Sequence, residues 1–294
     1  MTPGAAPPLS VVIVAFAGGD AVQRPLESLA PQCESGEVEV IVAHEAGGVD
    51  AAIAKRFPFA RWVAAPRGSS PARLRTLGIV ASGGAIVACT EDHCTPAADW
   101  CTRVLAAHAA GPHAVGGSID VPATATPAAW AAYLLDYSRY MPPLEGASAS
   151  HASDCNVSYR RASLDAVRGA WADEFHENVV HAALAGVGVQ LRGDDAIVVV
   201  EERAVPLDRY LRERVAHGRL FAATRVAGAP GTTRARLAVQ SLLLPAALVA
   251  RVVARLRARG RLGAVPSGAW PRLVAAATAW SLGELAGYVT RRAR

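Results

Sequence analysis

Short apolar runs rich in β-branched residues recur through the first ninety or so residues, and each is followed by a segment of helical character. The predicted strands cover residues 9–16, 38–43, 61–63 and 85–89, and the predicted helices cover 21–29, 51–57 and 70–81. Strands that alternate with helices form βαβ units, in which a mainly parallel sheet carries helices on both faces. With 52% hydrophobic residues, the 294-residue chain can bury such a sheet. The sequence therefore predicts an α/β protein.

The last of these strands runs directly into the acidic residues Glu91 and Asp92. Thr95 and Pro96 then have the pattern of a helix start, with Thr95 as the N-cap. The carboxyl ends of strands are where open α/β sheets bind their ligands. Two interpretations are open for this stretch alone. It is a solvated turn, or Asp92 holds, with Thr90 or Glu91, a divalent cation that carries a diphosphate.

The net charge of +5 comes almost entirely from arginine, because Lys55 is the only lysine. Arginines crowd the last third of the chain, including the cluster from Arg251 to Arg261. Such a cluster suits an anionic membrane surface or a nucleic acid, and the apolar segments around it favour the membrane. We find no interleaving of basic and aromatic residues, so we expect no nucleic-acid partner.

The five cysteines are odd in number and have no paired C-x-x-C spacing. This pattern indicates neither a zinc site nor a disulfide framework, and it favours a reducing compartment. The apolar run 9–16 is too short to cross a bilayer and has no basic segment before it. We therefore expect a cytoplasmic protein.

A series of short motifs follows one another in a specific order and spacing. They are residues 9–16 (LSVVIVAF), 39–45 (EVIVAHE), 72–79 (ARLRTLGI), 90–92 (TED), 115–118 (VGGS), 156–161 (NVSYRR) and the acidic segment 173–178. In this order the chain resembles the nucleotide-sugar half of a family 2 glycosyltransferase with a GT-A fold. The resemblance covers about residues 9–225. It implies a Rossmann-like, mainly parallel sheet and a nucleotide-diphosphate sugar as the donor.

The resemblance also implies roles for individual residues on the donor side. Thr90-Glu91-Asp92 stands at the position of the family's D-x-D motif, which makes Asp92 the metal ligand and Mg²⁺ or Mn²⁺ the cofactor. The nucleotide-sugar-binding residues that it implies are Ala15, Phe16, Glu45, Arg75, Thr90 and Glu91.

On the acceptor side, Glu177 stands where the family's Glu-Asp motif supplies the catalytic base. An inverting transfer needs a carboxylate that takes the proton of the acceptor hydroxyl as the anomeric carbon is attacked. An acidic residue at a helix start is also a common structural feature, because it complements the helix dipole. The resemblance places Asn156, Arg160 and His181 on this side, and His181 is interpreted as a packed or orienting histidine. Residues 142–153 are interpreted as a flap over the acceptor site.

Three residues replace those of the family motifs: Thr76, Thr90 and Asn178. They support a second hypothesis, a glycosyltransferase-like scaffold that binds a nucleotide or a partner protein without catalysis. The Q-x-x-R-W motif of processive relatives is absent near His217, so we expect a non-processive enzyme.

The C-terminal part contains two apolar segments, residues 237–250 and 273–289. The first is shorter than the ~20 apolar residues that a span needs, and the second contains Glu284. We predict helices that lie in the membrane interface, with the arginine cluster near lipid head groups. Core helices of a small domain and a dimer interface are the alternatives. The predicted division is a catalytic domain, residues 1–205, and membrane-associated helices, residues 206–294. Helices in the membrane interface would place the chain at the cytoplasmic face of the membrane and favour a lipid-linked or cell-envelope acceptor.

Overall fold

A computed structural model of the chain describes residues 6–18, 20–111, 114–144, 151–203, 206–226 and 228–290. In chain order, its main elements are β1 (Leu9–Ala15), α1 (Gln23–Leu29), β2 (Val38–Glu45), α2 (Ala51–Arg56), β3 (Ala60–Ala65), α3 (Pro71–Ala81), β4 (Ile86–Glu91), β5 (Cys94–Pro96), α4 (Trp100–Ala109), β6 (Ala114–Asp120), α5 (Pro127–Asp136), β7 (Val157–Arg160), α6 (Arg161–Ala166), α7 (Glu177–Gly186), β8 (Leu191–Glu201), α8 (Leu207–Arg225), α9 (Gly231–Ser241), α10 (Leu244–Ala258) and α11 (Ala269–Thr290). Residues 145–150 of the predicted flap lie outside the described residues.

The chain forms two compact units. The first unit comprises Met1–Asp120 with Tyr140–Glu201, and the second comprises Val121–Arg139 with Glu202–Arg294. These units divide the chain differently from the predicted boundary after residue 205, because α5 groups with the C-terminal helices.

The described strands of the first unit form one sheet with the order β3-β2-β1-β4-β7-β6-β8-β5. Strands β1 to β4 pair in parallel, as the alternation of strands and helices predicts. β7 is inserted antiparallel between β4 and β6, and β5 pairs antiparallel with β8. β1 is buried along its whole length, as expected for a strand covered on both faces. The predicted α/β class is confirmed.

Helix α3 begins where the sequence predicts. The hydroxyl of Ser70 accepts a hydrogen bond from the backbone N–H of Arg73 at 3.0 Å, and Pro71 occupies the first turn. The helix lies close against β1 at Gly78, where an added Cβ would collide with Val12. This close approach positions Arg75, one turn earlier, beside the end of β4.

The predicted helix start at Thr95 and Pro96 is wrong. These residues belong to β5, in which Cys94 pairs with Glu201 of β8, and α4 begins later, at Trp100. The edge of β8 supplies backbone partners that a local pattern does not reveal, and this pairing overrides the capping preference.

The second unit is helical. Its N-terminal helix α5 is capped by Thr126, whose side chain accepts a hydrogen bond from the backbone N–H of Ala129. Asp136 at the end of α5 accepts hydrogen bonds from Arg214 at 2.6 Å and from the Tyr210 hydroxyl at 3.0 Å, both on α8. These charge-assisted contacts tie α5 to the C-terminal helices.

Helix α11 packs into the core of this unit. Glu284 is buried and accepts hydrogen bonds from Trp280 Nε1 at 2.6 Å and from the Tyr288 hydroxyl at 2.8 Å. The backbones of α11 and α8 approach so closely at Gly283 and Gly218 that a side chain at either position would meet a backbone carbonyl of the other helix. These contacts fit the core-helix alternative for residues 273–289, and membrane association of this segment stays a prediction.

Among the described residues, no single helix has the length and apolar character needed to cross a membrane. Helices α9 and α10 satisfy those two requirements only when taken together, and the chain bends by 58° between them.

Candidate active site

The carboxyl ends of β1, β2 and β4 lie side by side at one edge of the sheet. In the parallel pairing, Val14 is opposite Glu91 and Ala15 is opposite His44. Residues at the ends of these strands therefore meet at this edge, where open α/β sheets bind ligands. The predicted site residues that the register brings there are Ala15, Phe16, Glu45, Glu91 and Asp92.

Asp92 is buried at this edge, and only one of its carboxylate oxygens has a hydrogen bond. Oδ2 accepts one from the backbone N–H of Ala17 at 2.8 Å. Oδ1 has no hydrogen bond to any residue that the structure describes, and it lies 3.5 Å from Nδ1 of His93. The ring of Phe16 packs edge-to-face on His93 at 5.7 Å. Because hard cations prefer carboxylate oxygens, Oδ1 fits the metal-ligand role predicted for Asp92.

A buried arginine joins two carboxylates next to Asp92. Arg75 is 2% exposed, and its Nη2 donates to Glu91 Oε1 and to Asp154 Oδ2, each at 2.7 Å. Its Nη1 donates to the carbonyl of Phe175 at 3.3 Å. Burial opposes the charge of Arg75, but Asp154 and Glu91 outweigh burial and raise its pKa. The guanidinium that the resemblance places at the nucleotide is paired with these two carboxylates, and its contact with a nucleotide stays a prediction.

Glu91 is buried between groups of both charges. The pKa of Glu91 is raised to about 7, because burial and then the charge of Asp154 raise it by more than His93 and Arg75 lower it. Its second oxygen, Oε2, accepts a hydrogen bond from the thiol of Cys155 at 3.3 Å. Glu91 thus contacts buried protein groups through both oxygens.

Asp154 is the site residue that the sequence analysis misses. It lies shortly before β7, and β7 pairs with β4 so that Val157 is opposite Cys89. This pairing brings Asp154 to Arg75, and its side chain is still 25% exposed. A local signal exists, since this acidic residue lies two positions before the motif at residues 156–161. Only the strand order shows which charges it meets.

Glu177 is the first residue of α7 and is half-buried. Burial raises its pKa, the charge of Asp154 adds to this effect, and the charge of Arg75 opposes it. Glu177 therefore lies within electrostatic reach of the pair formed by Arg75 and Asp154. A carboxylate whose pKa is raised toward the working pH is a better proton acceptor, as a catalytic base requires.

His181 lies one turn further along α7 and is buried. Its Nε2 is 2.8 Å from the hydroxyl of Tyr159, and burial lowers the pKa of His181 to about 4. The imidazole is therefore neutral near pH 7. This geometry agrees with the interpretation of His181 as a packed, orienting histidine, and its place on the acceptor side stays a prediction.

Two further predicted site residues are buried within the sheet. The amide of Asn156 is buried and donates to the carbonyls of Ser118 at 2.7 Å and Ile197 at 2.9 Å, so it joins strands instead of contacting an acceptor. Thr90 is fully buried within β4. Both residues lie in the interior because β7 is inserted into the sheet beside β4.

Arg160 lies at the other edge of the sheet. It pairs with Ile86, the first residue of β4, whereas Asp92 follows the last residue of that strand. At ~3.3 Å per residue, this separates the two residues by about 20 Å along the strand. The antiparallel direction of β7 causes this separation between Arg160 and Asp92.

Two groups of metal-binding side chains converge among the described residues of the first unit. One consists of Glu91, Asp154 and Cys155, and the other of His93, Cys94 and Cys155. In each group the ligand atoms lie within 4.8 Å of one another. Glu91 of the first group and His93 of the second are the sequence neighbours of Asp92.

The sequence model of one family, glycosyl transferase family 2, matches residues 10–168. The match covers more than half of the 294 residues. The chain therefore belongs to glycosyl transferase family 2, and it is a glycosyltransferase.

Solved structures confirm the GT-A type of fold. The mannosyltransferase PcManGT from Pyrobaculum calidifontis, in complex with GDP-Man and Mn²⁺, is 18% identical with a TM-score of 0.57. That similarity covers 96% of this chain and 88% of PcManGT. TarS 1-349 of S. aureus is 13% identical with a TM-score of 0.50, over 70% of this chain and 63% of TarS 1-349. A search of curated proteins found no significant match.

Proposed function

We propose that this chain moves a sugar, with inversion, from a nucleoside-diphosphate donor to an acceptor hydroxyl, and that the reaction depends on a divalent cation. One observation carries the proposal: Asp92, the cluster of Arg75, Glu91 and Asp154, and Glu177 meet in one unit, by the carboxyl ends of β1 and β4. The GDP-Man and Mn²⁺ bound to PcManGT support this choice of donor class and cofactor.

Asp92 is the residue that would hold the cation, because Ala17 fixes Oδ2 and the nearest partner of Oδ1, Nδ1 of His93, is 3.5 Å away. Bound there, Mg²⁺ or Mn²⁺ would supply positive charge for the diphosphate leaving group. Phe16 is 39% exposed beside Asp92 and offers an apolar surface to the nucleotide.

Glu177 acts as the general base of the proposed reaction. It accepts the proton of the acceptor hydroxyl as that oxygen attacks the anomeric carbon, and the bond to the diphosphate breaks in the same displacement. No covalent intermediate forms, so the sugar is inverted. Asp154 assists by raising the pKa of Glu177, and Arg75 limits this effect by its positive charge.

Nucleotide binding tests the donor half of the proposal. We expect a nucleoside diphosphate, with GDP tried first and then UDP, TDP and ADP, to raise the melting temperature only when Mn²⁺ or Mg²⁺ is present. A ligand that binds only the folded state stabilises it by mass action, by about 2.7 kcal/mol at 100 times Kd. Asp92→Asn should lose the metal-dependent part of the shift.

The matched control is Asp99→Asn, an exposed aspartate of the same unit that pairs with Arg103 on the surface. It should keep the whole shift. Stabilisation that is independent of metal, or equal in Asp92→Asn, would contradict the role of Asp92. No shift with any nucleotide would favour the second hypothesis, the scaffold without catalysis.

We further propose that the second unit binds the cytoplasmic face of a membrane, where a lipid-linked or cell-envelope acceptor would be found. The bend between α9 and α10 carries three exposed apolar residues, Val239, Leu242 and Leu243, here called the elbow. Leu242 is 60% exposed and Leu243 is 70% exposed. An apolar projection of this kind can enter the boundary between lipid head groups and acyl chains.

Exposed arginines flank the elbow on both sides. Arg236 lies one turn before Val239, and Arg251 lies two turns after Leu243 along α10. Each arginine near an anionic bilayer contributes about 1 kcal/mol of attraction. The combination of an apolar tip with flanking cations favours an anionic membrane as the partner of the elbow.

A further inference from the structure

Four metal-binding side chains of the first unit converge beside the proposed donor site. They are Glu91, His93, Cys94 and Cys155, here called the thiol-imidazole cluster. All four are buried. None of them is used by the proposed transfer chemistry.

The potential ligand atoms of this cluster lie close to one another. Glu91 Oε2 is 3.3 Å from Cys155 Sγ and 3.5 Å from His93 Nε2. The ligand atoms of His93, Cys94 and Cys155 all lie within 4.8 Å of one another. Zinc bonds of ~2.0–2.3 Å in a tetrahedron place neighbouring ligand atoms about 3.3–3.8 Å apart.

The backbone that carries the cluster is well anchored. Glu91 ends β4, Cys94 begins β5, and Cys155 lies shortly before β7. β7 pairs with β4, and Cys94 pairs with Glu201 of β8. Ligands on paired strands hold a fixed geometry better than ligands on free loops do.

Two neighbouring side chains complete an outer shell around the cluster. Arg75 donates to Oε1 of Glu91, so that Oε2 is directed to the cluster. Nδ1 of His93 lies 3.5 Å from Asp92 Oδ1, whereas Nε2 faces Glu91. A metal-bound histidine typically has a carboxylate or a carbonyl at its other nitrogen, and metal-bound carboxylates are themselves hydrogen-bonded.

We propose that Glu91, His93, Cys94 and Cys155 form a closed, structural Zn²⁺ site. Two thiolates and an imidazole select Zn²⁺ over Mg²⁺, and four protein ligands leave no open position for a substrate. On binding, each thiol transfers its proton to solvent, and the sulfur forms a bond to zinc. This site shares no ligand with the cation proposed at Asp92 Oδ1, and it does not depend on the proposed transferase reaction.

Metal binding by the purified full-length chain tests this proposal. After treatment with a chelator, we expect the protein to bind one equivalent of Zn²⁺. With Co²⁺ as the probe, it should show the thiolate-to-cobalt absorption of a tetrahedral site. Cys94→Ser should weaken zinc binding at least about 100-fold, because even the loss of an outer-shell partner costs about 10–100-fold. It should also reduce the thiolate absorption.

Cys33→Ser is the matched control, since Cys33 is a half-buried thiol outside the cluster, and it should bind zinc and cobalt as the wild type does. Three results would overturn the proposal. They are no stoichiometric Zn²⁺ in the wild type, bound cobalt without thiolate absorption, or an unchanged cobalt spectrum in Cys94→Ser. The first two need no variant, so the test decides even if Cys94→Ser does not fold. Neither measurement uses a nucleotide, so failure here leaves the proposed transferase function untouched.

Discussion

At the scale of single residues, the site is defined by charges that balance one another. Arg75 is one buried cation between Glu91 and Asp154, and Glu177 responds to both Arg75 and Asp154. Burial raises the pKa values of Glu91 and Glu177, because it penalises the charged form of a carboxyl group. The half-buried position of Glu177 fits a base that must accept a proton and still meet a substrate.

Glu177→Gln should reduce kcat for sugar transfer by about 10²–10⁴-fold, because the amide cannot accept the proton. In the wild type, kcat/KM should rise with pH through the pKa of Glu177. Since that pKa is raised above 4.5, the rise should occur above pH 4.5, and the variant should lack it. Steady-state rates across pH check both points. Glu174→Gln, an exposed neighbour, is the control. Equal rates in Glu177→Gln and the wild type would exclude the catalytic role.

At the scale of elements, two strands decide which predicted residues reach the site. The antiparallel insertion of β7 brings Asp154 to Arg75, moves Arg160 to the opposite edge and buries the amide of Asn156. Thr95 and Pro96, predicted as a helix start, instead belong to the edge strand β5. The pairing of β5 with β8 places Cys94 beside Cys155. Helix α3, in contrast, is specified locally by the cap at Ser70.

The contact of α3 with β1 at Gly78 can be tested by substitution. Gly78→Ala should destabilise the fold by about 1–3 kcal/mol, because the added methyl group collides with Val12 and overpacks the core. Denaturant unfolding measures the change. Gly186→Ala, in α7, has no atom near the added Cβ and should be neutral or stabilising by up to ~1 kcal/mol. Equal stability of the two variants would show that α3 can shift without cost.

At the scale of the whole molecule, the chain combines a glycosyltransferase fold with a helical unit rich in arginine. Within the second unit, α11 is the buried helix, whereas the elbow of α9 and α10 exposes apolar side chains. The two apolar segments of the sequence thus differ in character, although their compositions are similar. The elbow is therefore the surface that we propose binds the membrane.

We expect the protein to sediment with vesicles of phosphatidylcholine mixed with phosphatidylglycerol, and less with phosphatidylcholine alone or at high salt. Replacing Leu242 and Leu243 together by glutamine should reduce binding at least about tenfold, because a fully buried leucine contributes ~1.5–3 kcal/mol. Leu282→Gln, an exposed leucine on α11, should bind as the wild type does. Undiminished binding after loss of both leucines would rule out the elbow as the attachment point.

The sequence by itself determined the α/β class, the order of the first four strands and first three helices, the start of α3, and the family. These features depend on short-range patterns: apolar periodicity, capping residues and motifs in series. They also place Asp92 at the end of its strand, because the end of an apolar run is visible in the sequence.

Only the tertiary structure decided what surrounds Asp92. The pairing of Arg75 with Asp154, the buried position of Asn156, and the convergence of Cys94 with Cys155 all join residues that are far apart in sequence. The cysteine spacing alone indicates no zinc site, because the spacing rules describe ligands that are close along the chain. Here the ligands meet through strand order and register, which long-range pairing sets and no local pattern contains.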